Sequence, residues 1–219
     1  MTMNGKIHLG VIFGGRSGEH EVSLMSARSV LAVLDTGKYD ITQIGITHSG
    51  AWVTGQNVLE ALQSGDTRHL TQAVLLPEPG HNCLYTLTEG EHGPQLVKCA
   101  ELDVVFGLMH GTYGEDGSVQ GLFEMAGIAY VGAGVLASSV GMDKAIFKDV
   151  MRANNLPVVD SLTLTRAQVQ NHLDKVIEEA ESLGDYPLFT KPVNLGSSVG
   201  IRKCHNREEL AAGLREATR

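Results

Sequence analysis

The chain has 219 residues, of which 42% are hydrophobic, and it carries a formal net charge of −8. This length is enough for one large domain or two small ones with a buried core. The acidic balance argues against a sequence-independent interaction with nucleic acid or with an anionic membrane, because both need a concentrated basic surface.

Cysteine usage and the N-terminal segment indicate the compartment. Cys83, Cys99 and Cys204 are odd in number, widely separated and without a C-x-x-C pair, so neither a disulfide framework nor a zinc site is indicated. The N-terminal apolar run of about seven residues is far shorter than the roughly 20 that span a bilayer, and it lacks a signal-peptide pattern. We therefore expect a cytoplasmic protein with no membrane partner.

The first part of the chain follows a β-α-β pattern. Its predicted elements are, in order, a strand (6–13), a helix (21–34), a strand (40–47), a helix and a hairpin within 55–100, a strand (102–109), a helix (119–127) and a short strand (128–131). This order predicts an α/β fold that opens on an open, mostly parallel, Rossmann-like sheet. The helix over 21–34 has an apolar row near one face, formed by Val22, Met25, Val30, Val33 and Leu34.

The rhythm changes after residue 133. The elements predicted there are a helix (142–153), a strand (156–164), a helix (166–184) with a capping box, a strand, a glycine-serine loop, a strand, and a capped helix from Asn206 to the last residue. We therefore predict two domains, 1–133 and 134–219. The second has only two or three strands, which is a small basis for a core of its own.

The first glycine-rich loop, GGRSGEHE, follows the first strand and opens a helix, where α/β sheets bind ligands. Its glycines do not give the G-x-G-x-x-G spacing of a dinucleotide site, and the second strand ends in Thr47 and His48 instead of an acid for a ribose. Glu19 in this loop would repel a phosphate but would suit an ammonium group. The alternative is that Glu19 only complements the helix dipole, and the loop alone leaves both interpretations open.

A second segment, GAGVLA (132–137), does match G-x-G-x-x-A, and Asp160 follows a later predicted strand. A lone match of this kind is weak. The strand before it is short and lies outside the wound half of the chain, so a dinucleotide site is a minor alternative.

The loop MHGTYGEDGSVQG follows the fourth clear strand. Loops after the first and fourth strands flank the switch point of a doubly wound sheet, so we expect Glu19 and His110 to face one small polar pocket. His110, Glu115 and Asp116 are also candidates for metal ligands, but H-x-x-x-x-E-D on a loop is not a recognised ligand spacing. A solvated turn is the main alternative for the two acids, and we assign no metal ligand.

Two lysines stand in unusual places. Lys144 lies at the start of a predicted helix, where the dipole disfavours a cation. Lys191 lies between the apolar segments YPLF and VNLG, where we expect it to be partly buried and to need a partner. Each lysine alone is compatible with a structural role. Together with the GSSVG loop at 196–200, they indicate a bound phosphate as a common partner.

Four segments together resemble one family. They are GGRSGEHEVSLMSA, HGTYGEDGSVQGLFE, GVLASSVGMDK and KPVNLGSSVGI. They are similar to the signature segments of bacterial D-alanine-D-alanine ligases, which are members of the ATP-grasp superfamily. The resemblance extends from residue 7 to near residue 205. It includes the GAGVLA segment, and it accounts for that match without a dinucleotide site. It implies that 1–133 form a preATP-grasp substrate domain and 134–219 the first α+β subdomain of an ATP-grasp fold.

The resemblance also implies roles in the amino-acid site. Glu19 corresponds to the acid that helps to bind the amino group of the first D-alanine, and His110 to a histidine of the substrate pocket. Ser197 corresponds to the serine that links the phosphate loop to Glu19 through hydrogen bonds. Glu19 and Ser197 are therefore the catalytic residues that the resemblance implies.

On the nucleotide side, Lys144 and Lys191 correspond to the two lysines that reach the ATP phosphates, and Ser197 and Ser198 to loop residues on the nucleotide. The implied reaction phosphorylates the carboxylate of one D-alanine with ATP. The amine of a second D-alanine then attacks the acyl phosphate, and phosphate leaves. Positioning and charge stabilisation carry such chemistry, without a protein nucleophile.

The resemblance covers only part of the family's length. The ligands for Mg²⁺, or Mn²⁺, are expected beyond residue 219, and Thr190 stands where the family has an aliphatic residue. The expected partners are D-alanine, ATP and a second copy of the chain, with no nucleic acid. The alternatives are a D-alanine-D-lactate ligase or a truncated, non-catalytic binding or dimerisation module. We also expect residues after 140 to be loosely packed.

Overall fold

The computed structural model of the protein describes residues 5–196 and 199–218. The chain forms two compact units, Met1–Ser139 and Val140–Arg219. The elements of the first unit are β1 (Ile7–Gly14), α1 (His20–Leu31), β2 (Tyr39–Ile46), β3 (Trp52–Thr54), α2 (Val58–Ser64), β4 (Thr71–Leu75), β5 (Cys83–Gly90), β6 (Gly93–Glu101), β7 (Val104–Gly107), α3 (Ser118–Ala126) and β8 (Ala129–Val131). Helix α4 (Val135–Met142) spans the division. The predicted boundary near residue 133 stays a prediction.

An eight-stranded sheet forms the first unit, in the order β6-β5-β4-β3-β2-β1-β7-β8. Strand β1 pairs in parallel with β2 and β7, and β7 pairs in parallel with β8. The other neighbours are antiparallel. The predicted α/β class and its parallel β-α-β opening are confirmed. The segment predicted as a helix and a hairpin also contributes β4, and β3 (Trp52–Thr54) was not predicted. These strands pair antiparallel, so the sheet is mixed.

The core of this unit lies on both faces of the sheet. Leu9, Val11 and Phe13 of β1 pack with residues of α1 and α2. Ile12, which points to the opposite face, packs with residues of α3 such as Phe123. Strand β1 is therefore buried on both sides, and this burial explains why its sequence is a continuous apolar run instead of an alternating one.

The apolar row near one face of the predicted helix is only partly buried, since Val30 and Leu34 pack against the core. Three members of the apolar row, Val22, Met25 and Val33, are 41%, 68% and 80% exposed. The buried residues of the helix are His20, Ser23, Leu24 and Ala27. Small and polar side chains face inward because the helix hydrogen-bonds to the strand ends: the Ser23 hydroxyl donates to the Leu108 carbonyl at 2.7 Å. A search for apolar residues at helical spacing does not find a buried face that contains His20 and Ser23.

The second unit has a small core of its own. Its elements are α5 (Lys144–Ala153), α6 (Arg166–Asn171), α7 (Leu173–Glu181), β9 (Leu188–Thr190), β10 (Arg202–Cys204) and α8 (Arg207–Ala217). Strands β9 and β10 form an antiparallel pair, so the predicted strand, loop and strand are confirmed. Val176, Ile177 and Leu210 belong to a buried cluster formed by α6, α7, α8 and β10. The loose packing expected after residue 140 stays a prediction, because these elements bury a cluster whereas α4 and α5 have no buried residue.

Two predictions of local structure in this unit are wrong. Residues 156–164 form no strand. The second sheet consists of β9 and β10 alone, and neither strand pairs with this segment. The helix predicted over 166–184 is two helices that meet at His172, whose φ of −139° is not helical. The capping box of Thr165 and Gln168 is confirmed. No helix in the described residues is long and apolar enough to cross a membrane.

Candidate functional site

Two loops meet at the carboxyl edge of the sheet. The β1–α1 loop and the β7–α3 loop follow neighbouring parallel strands, and ligands of open α/β sheets bind at such an edge. The Ser17 hydroxyl of the first loop donates to the His110 carbonyl of the second at 2.8 Å. The structure therefore brings together the two segments that carry Glu19 and His110, as the strand order predicted.

Glu19 is buried between these loops. It occupies the N-cap position of α1 and is 6% exposed, but its side chain makes no capping hydrogen bond. Its Oε2 lies against Gly111, where an added Cβ would overlap it, and Gly111 has a φ of +71° that favours glycine. The carboxylate thus points toward the second loop and does not cap its own helix.

His110 lies in the same place and is less buried, with a side chain that is 30% exposed. Its Nε2 is 2.9 Å from the Ser26 hydroxyl of α1. Its Nδ1 is 3.9 Å from Oε1 of Glu115, which is too long for a hydrogen bond. One ring nitrogen is therefore occupied by the protein, and the other is near an anionic group.

The acids of the second loop hold the loop itself. Glu115 accepts a hydrogen bond from the Gly111 amide at 2.8 Å, and Asp116 accepts from the amides of Tyr113 and Ser118 at 2.9 and 3.0 Å. Burial alone would raise the pKa of Asp116, but these amide hydrogen bonds outweigh burial and the pKa lies below its usual value. The geometry favours the structural turn over the metal-ligand alternative.

A contact that the sequence did not predict joins the two loops at their exposed side. The Arg16 guanidinium donates to the Tyr113 hydroxyl at 2.6 Å, and its carbon lies 4.7 Å from the centre of that ring. Tyr113 has a φ of +67°, a conformation that is uncommon outside glycine. Such backbone conformations concentrate at functional loops.

In the second unit, Lys144 is the first residue of α5, as predicted. The Asp143 side chain caps the helix by accepting from the amides of Ala145 and Ile146. The Lys144 amine donates to the Leu195 carbonyl at 2.5 Å and lies 3.4 Å from the Val193 carbonyl. The cation at the helix start is therefore held by carbonyls of the β9–β10 loop.

Lys191 begins the same loop, but the prediction that it is partly buried is wrong. It is exposed, and its amine lies 5.9 Å from the ring centre of Phe189. It follows the last residue of β9 and lies in the loop, where no strand or helix in the described part of the chain covers it. Nearby, burial and the charges of Arg152 and Lys191 lower the pKa of Lys148. Lys148 is one turn from Lys144 in α5, so this unit gathers cations around the loop.

Comparison with known proteins assigns these segments. A family profile described as "D-ala D-ala ligase N-terminus" matches residues 8–133, and one described as "D-ala D-ala ligase C-terminus" matches residues 150–219. The chain belongs to the D-alanine–D-alanine ligase family. Its resemblance to this family in four sequence segments is thereby confirmed.

Relatives and solved structures agree with this assignment. The chain is 45% identical over 210 residues to the D-alanine–D-alanine ligase of Natranaerobius thermophilus, which covers 95% of this chain and 56% of the relative. It superposes on the VanG D-Ala:D-Ser ligase of Enterococcus faecalis with a TM-score of 0.77 and 34% identity, over 97% of this chain and 59% of that one. It superposes on the D-alanine–D-alanine ligase of Coxiella burnetii with a TM-score of 0.74 and 32% identity, over 97% of this chain and 58% of that one. The chain thus spans a little over half the length of these ligases.

Two of the predicted site residues, Ser197 and Ser198, lie outside the described residues. On either side of them, the Val199 amide donates to the Gly196 carbonyl at 3.0 Å. Gly200 has a φ of +69°, and a Cβ there would overlap the ring of Pro192. The glycine of this ligase segment is therefore required by the backbone itself.

The family implies a divalent cation, and the described residues do not fit one that prefers oxygen ligands. Within residues 5–196 and 199–218, the group of three potential ligands is His20, Glu21 and His48. The rings of His20 and His48 are stacked with centres 3.7 Å apart. Mg²⁺ prefers carboxylate, carbonyl and water oxygens, so two stacked imidazoles are a poor site for it.

Sequence reasoning missed several residues that support the site. Ser17 and Ser26 contact the backbone and the ring of His110, and Gly111 makes room for Glu19. The spacing of Lys144 and Lys148 by four residues on a helix was a usable signal for Lys148. Serines at strand and helix ends have no comparable signal, because their partners are distant in sequence.

Proposed function

We propose that the chain is the N-terminal and central part of an enzyme that joins two D-alanines to D-alanyl-D-alanine at the expense of ATP, for peptidoglycan precursor synthesis. The observation that carries this proposal is the contact between Glu19 and Gly111. It places a buried carboxylate and His110 at one sheet edge, in a chain that belongs to this ligase family.

Glu19 is proposed to bind the ammonium group of the first D-alanine. The negative charge of a carboxylate attracts an ammonium group, and this attraction is stronger at a site largely shielded from water. The neighbouring His110 is proposed to donate to an oxygen of the same substrate. Binding at both ends orients the carboxylate for phosphoryl transfer, and such positioning contributes much of the rate enhancement in reactions without a protein nucleophile.

Lys144 and Lys191 are proposed to bind the ATP phosphates, with Ser197 and Ser198 on the same loop. Support comes from the chain's own charges, because Lys144 already lies over the loop carbonyls and Lys148 adds a third amine nearby. As ATP phosphorylates the substrate carboxylate, negative charge moves between phosphate oxygens. Lysines at these oxygens stabilise that charge. Ser197 is proposed to connect the loop with Glu19, so that nucleotide and amino-acid binding are coupled.

The second substrate is a separate question. The relative that is 45% identical is a D-alanine–D-alanine ligase, so we propose D-alanine. A D-alanine-D-lactate ligase is the alternative, and the likeness to a D-Ala:D-Ser ligase adds D-serine. Supplying each acceptor in turn to the completed enzyme decides among them. A product formed only with D-lactate or D-serine would contradict the assignment.

We also propose a cytoplasmic enzyme that acts as a homodimer. ATP is available in the cytoplasm, and Cys83, Cys99 and Cys204 are free thiols, as expected in a reducing compartment. The exposed apolar side chains of Met25 on α1 and Val33 just after it offer a surface for a second copy. Light scattering at several concentrations measures the mass, and a constant monomer mass would refute the dimer.

The test begins with D-alanine-dependent release of ADP. We expect no turnover from the 219-residue chain and turnover once the C-terminal part found in its relatives is joined to it. In that active protein Lys191→Ala should abolish ligation. Lys203→Ala, which removes an exposed lysine on the neighbouring strand β10, is the matched control and should leave turnover unchanged. Equal turnover of both variants would remove Lys191 from the ATP site.

A further inference from the structure

The ring of His110 is held from one side by helix α1. The Ser26 hydroxyl lies 2.9 Å from Nε2, whereas Nδ1 lies 3.9 Å from Oε1 of Glu115. Ser26 is partly buried and lies near the buried residues Ser23 and Leu24 of the same helix. The two ring nitrogens therefore have different surroundings, one inside the protein and one toward the loop.

We propose that Ser26 is a positioning residue that holds His110 by Nε2 and leaves Nδ1 as the nitrogen that meets a ligand. The orientation of the ring follows from the described contacts alone. Its consequence for D-alanine rests on the function proposed above.

The chemistry of the ring selects one tautomer. A neutral imidazole has one N–H donor and one acceptor nitrogen. The negative charge of Glu115 favours the proton on Nδ1, because a lone pair there would face a carboxylate. Nε2 is then the acceptor, and the Ser26 hydroxyl donates to it. At 3.9 Å the Nδ1–H makes no full hydrogen bond to Glu115, so it can donate to a substrate oxygen.

The backbone of His110 is fixed independently of Ser26. The Ser17 hydroxyl donates to the His110 carbonyl at 2.8 Å. Two residues earlier, the Leu108 carbonyl accepts from Ser23, which also accepts from the Gly14 amide at 2.7 Å. Removal of the Ser26 hydroxyl is therefore expected to release the ring and its tautomer while the loop stays in place.

The direct test uses long-range ¹H–¹⁵N NMR of the histidine rings in the 219-residue chain. We expect the Nδ1–H tautomer for His110, its loss toward a mixture in Ser26→Ala, and its restoration in Ser26→Thr, which keeps the hydroxyl. Ser29→Ala is the control, because Ser29 is exposed on the same helix and its hydroxyl donates to the Met25 carbonyl. An unchanged His110 signal in Ser26→Ala, with the fold intact by circular dichroism, would overturn the proposal.

A second measurement concerns the active, completed enzyme. Loss of one oriented hydrogen bond is expected to raise KM for D-alanine about three- to tenfold in Ser26→Ala, with KM for ATP unchanged and Ser26→Thr near the parent value. A shifted tautomer with an unchanged KM would keep Ser26 as the positioning residue. It would instead count against His110 as a substrate ligand, so the two proposals fail separately.

Discussion

Thr190 carries a buried hydroxyl whose removal should stabilise the second unit. It is the last residue of β9 and is 5% exposed, and its Oγ1 has no hydrogen-bond partner within the described ranges. The same oxygen lies so close to Gly213 of α8 that a Cβ there would overlap it. Thr190→Val replaces the hydroxyl by a methyl group of nearly the same shape.

The expected gain follows from two terms. A buried polar group without a partner costs about 1–3 kcal/mol, and a buried methyl group in its place contributes about 0.8 kcal/mol. Crowding against Gly213 subtracts up to about 1–2 kcal/mol, since overpacked cores are strained. We therefore expect Thr190→Val to raise the free energy of unfolding of the second unit by about 1 kcal/mol, equivalent to about 4–8 °C in Tm.

The assay is denaturant unfolding of the 219-residue chain, followed by far-UV circular dichroism. The single tryptophan, Trp52, lies in β3 of the first unit. The unfolding transition followed by its fluorescence should therefore be the same in Thr190→Val as in the parent, and it serves as an internal control. Thr190→Ser is the matched variant, because it keeps the hydroxyl and removes the methyl group. It should lose about 1 kcal/mol. A Thr190→Val protein that is no more stable than the parent would refute the reasoning.

Three further predictions concern other parts of the chain. Gly111→Ala should lower the stability of the first unit by about 1–2 kcal/mol, because the alanine would be left-handed and would displace Glu19. Gly121→Ala, inside α3 with open space at its Cβ, should instead stabilise the unit by about 0.5–1 kcal/mol. Trp52 fluorescence in urea distinguishes them, and equal effects would contradict the clash. Asp116 has a lowered pKa, so it stabilises the fold above its unfolded pKa and this stability is lost as pH falls through the lower folded pKa. Asp116→Asn should therefore be less stable than the parent at neutral pH and approach it in acid, whereas a difference independent of pH would exclude the linkage. Finally, α4 and α5 have no buried residue, so their amides should exchange faster than those of α7 and α8, and equal protection by mass spectrometry would contradict this order.

Much of the architecture could be predicted because it depends on local patterns. Strand β1 is apolar from Leu9 to Phe13 because both its faces are covered there, and such a run is visible in the sequence. The caps at Thr165 and Asn206 were visible too, since a cap needs only residues three positions apart. The inward face of α1 was not, because Ser23 faces the core to bond to Leu108, a residue far away in the chain.

The sequence by itself determined the family, the two glycine-rich loops after β1 and β7, and the residues proposed to bind the substrates. These are properties of short segments and of their order, and they need no coordinates. The tertiary structure alone decided that Glu19 points at Gly111, that Ser26 meets Nε2 of His110, and that Lys191 is exposed while Lys144 is engaged. Each of these depends on which distant segments the fold brings within a few ångströms, and pairing over that distance leaves no periodic signal in the chain.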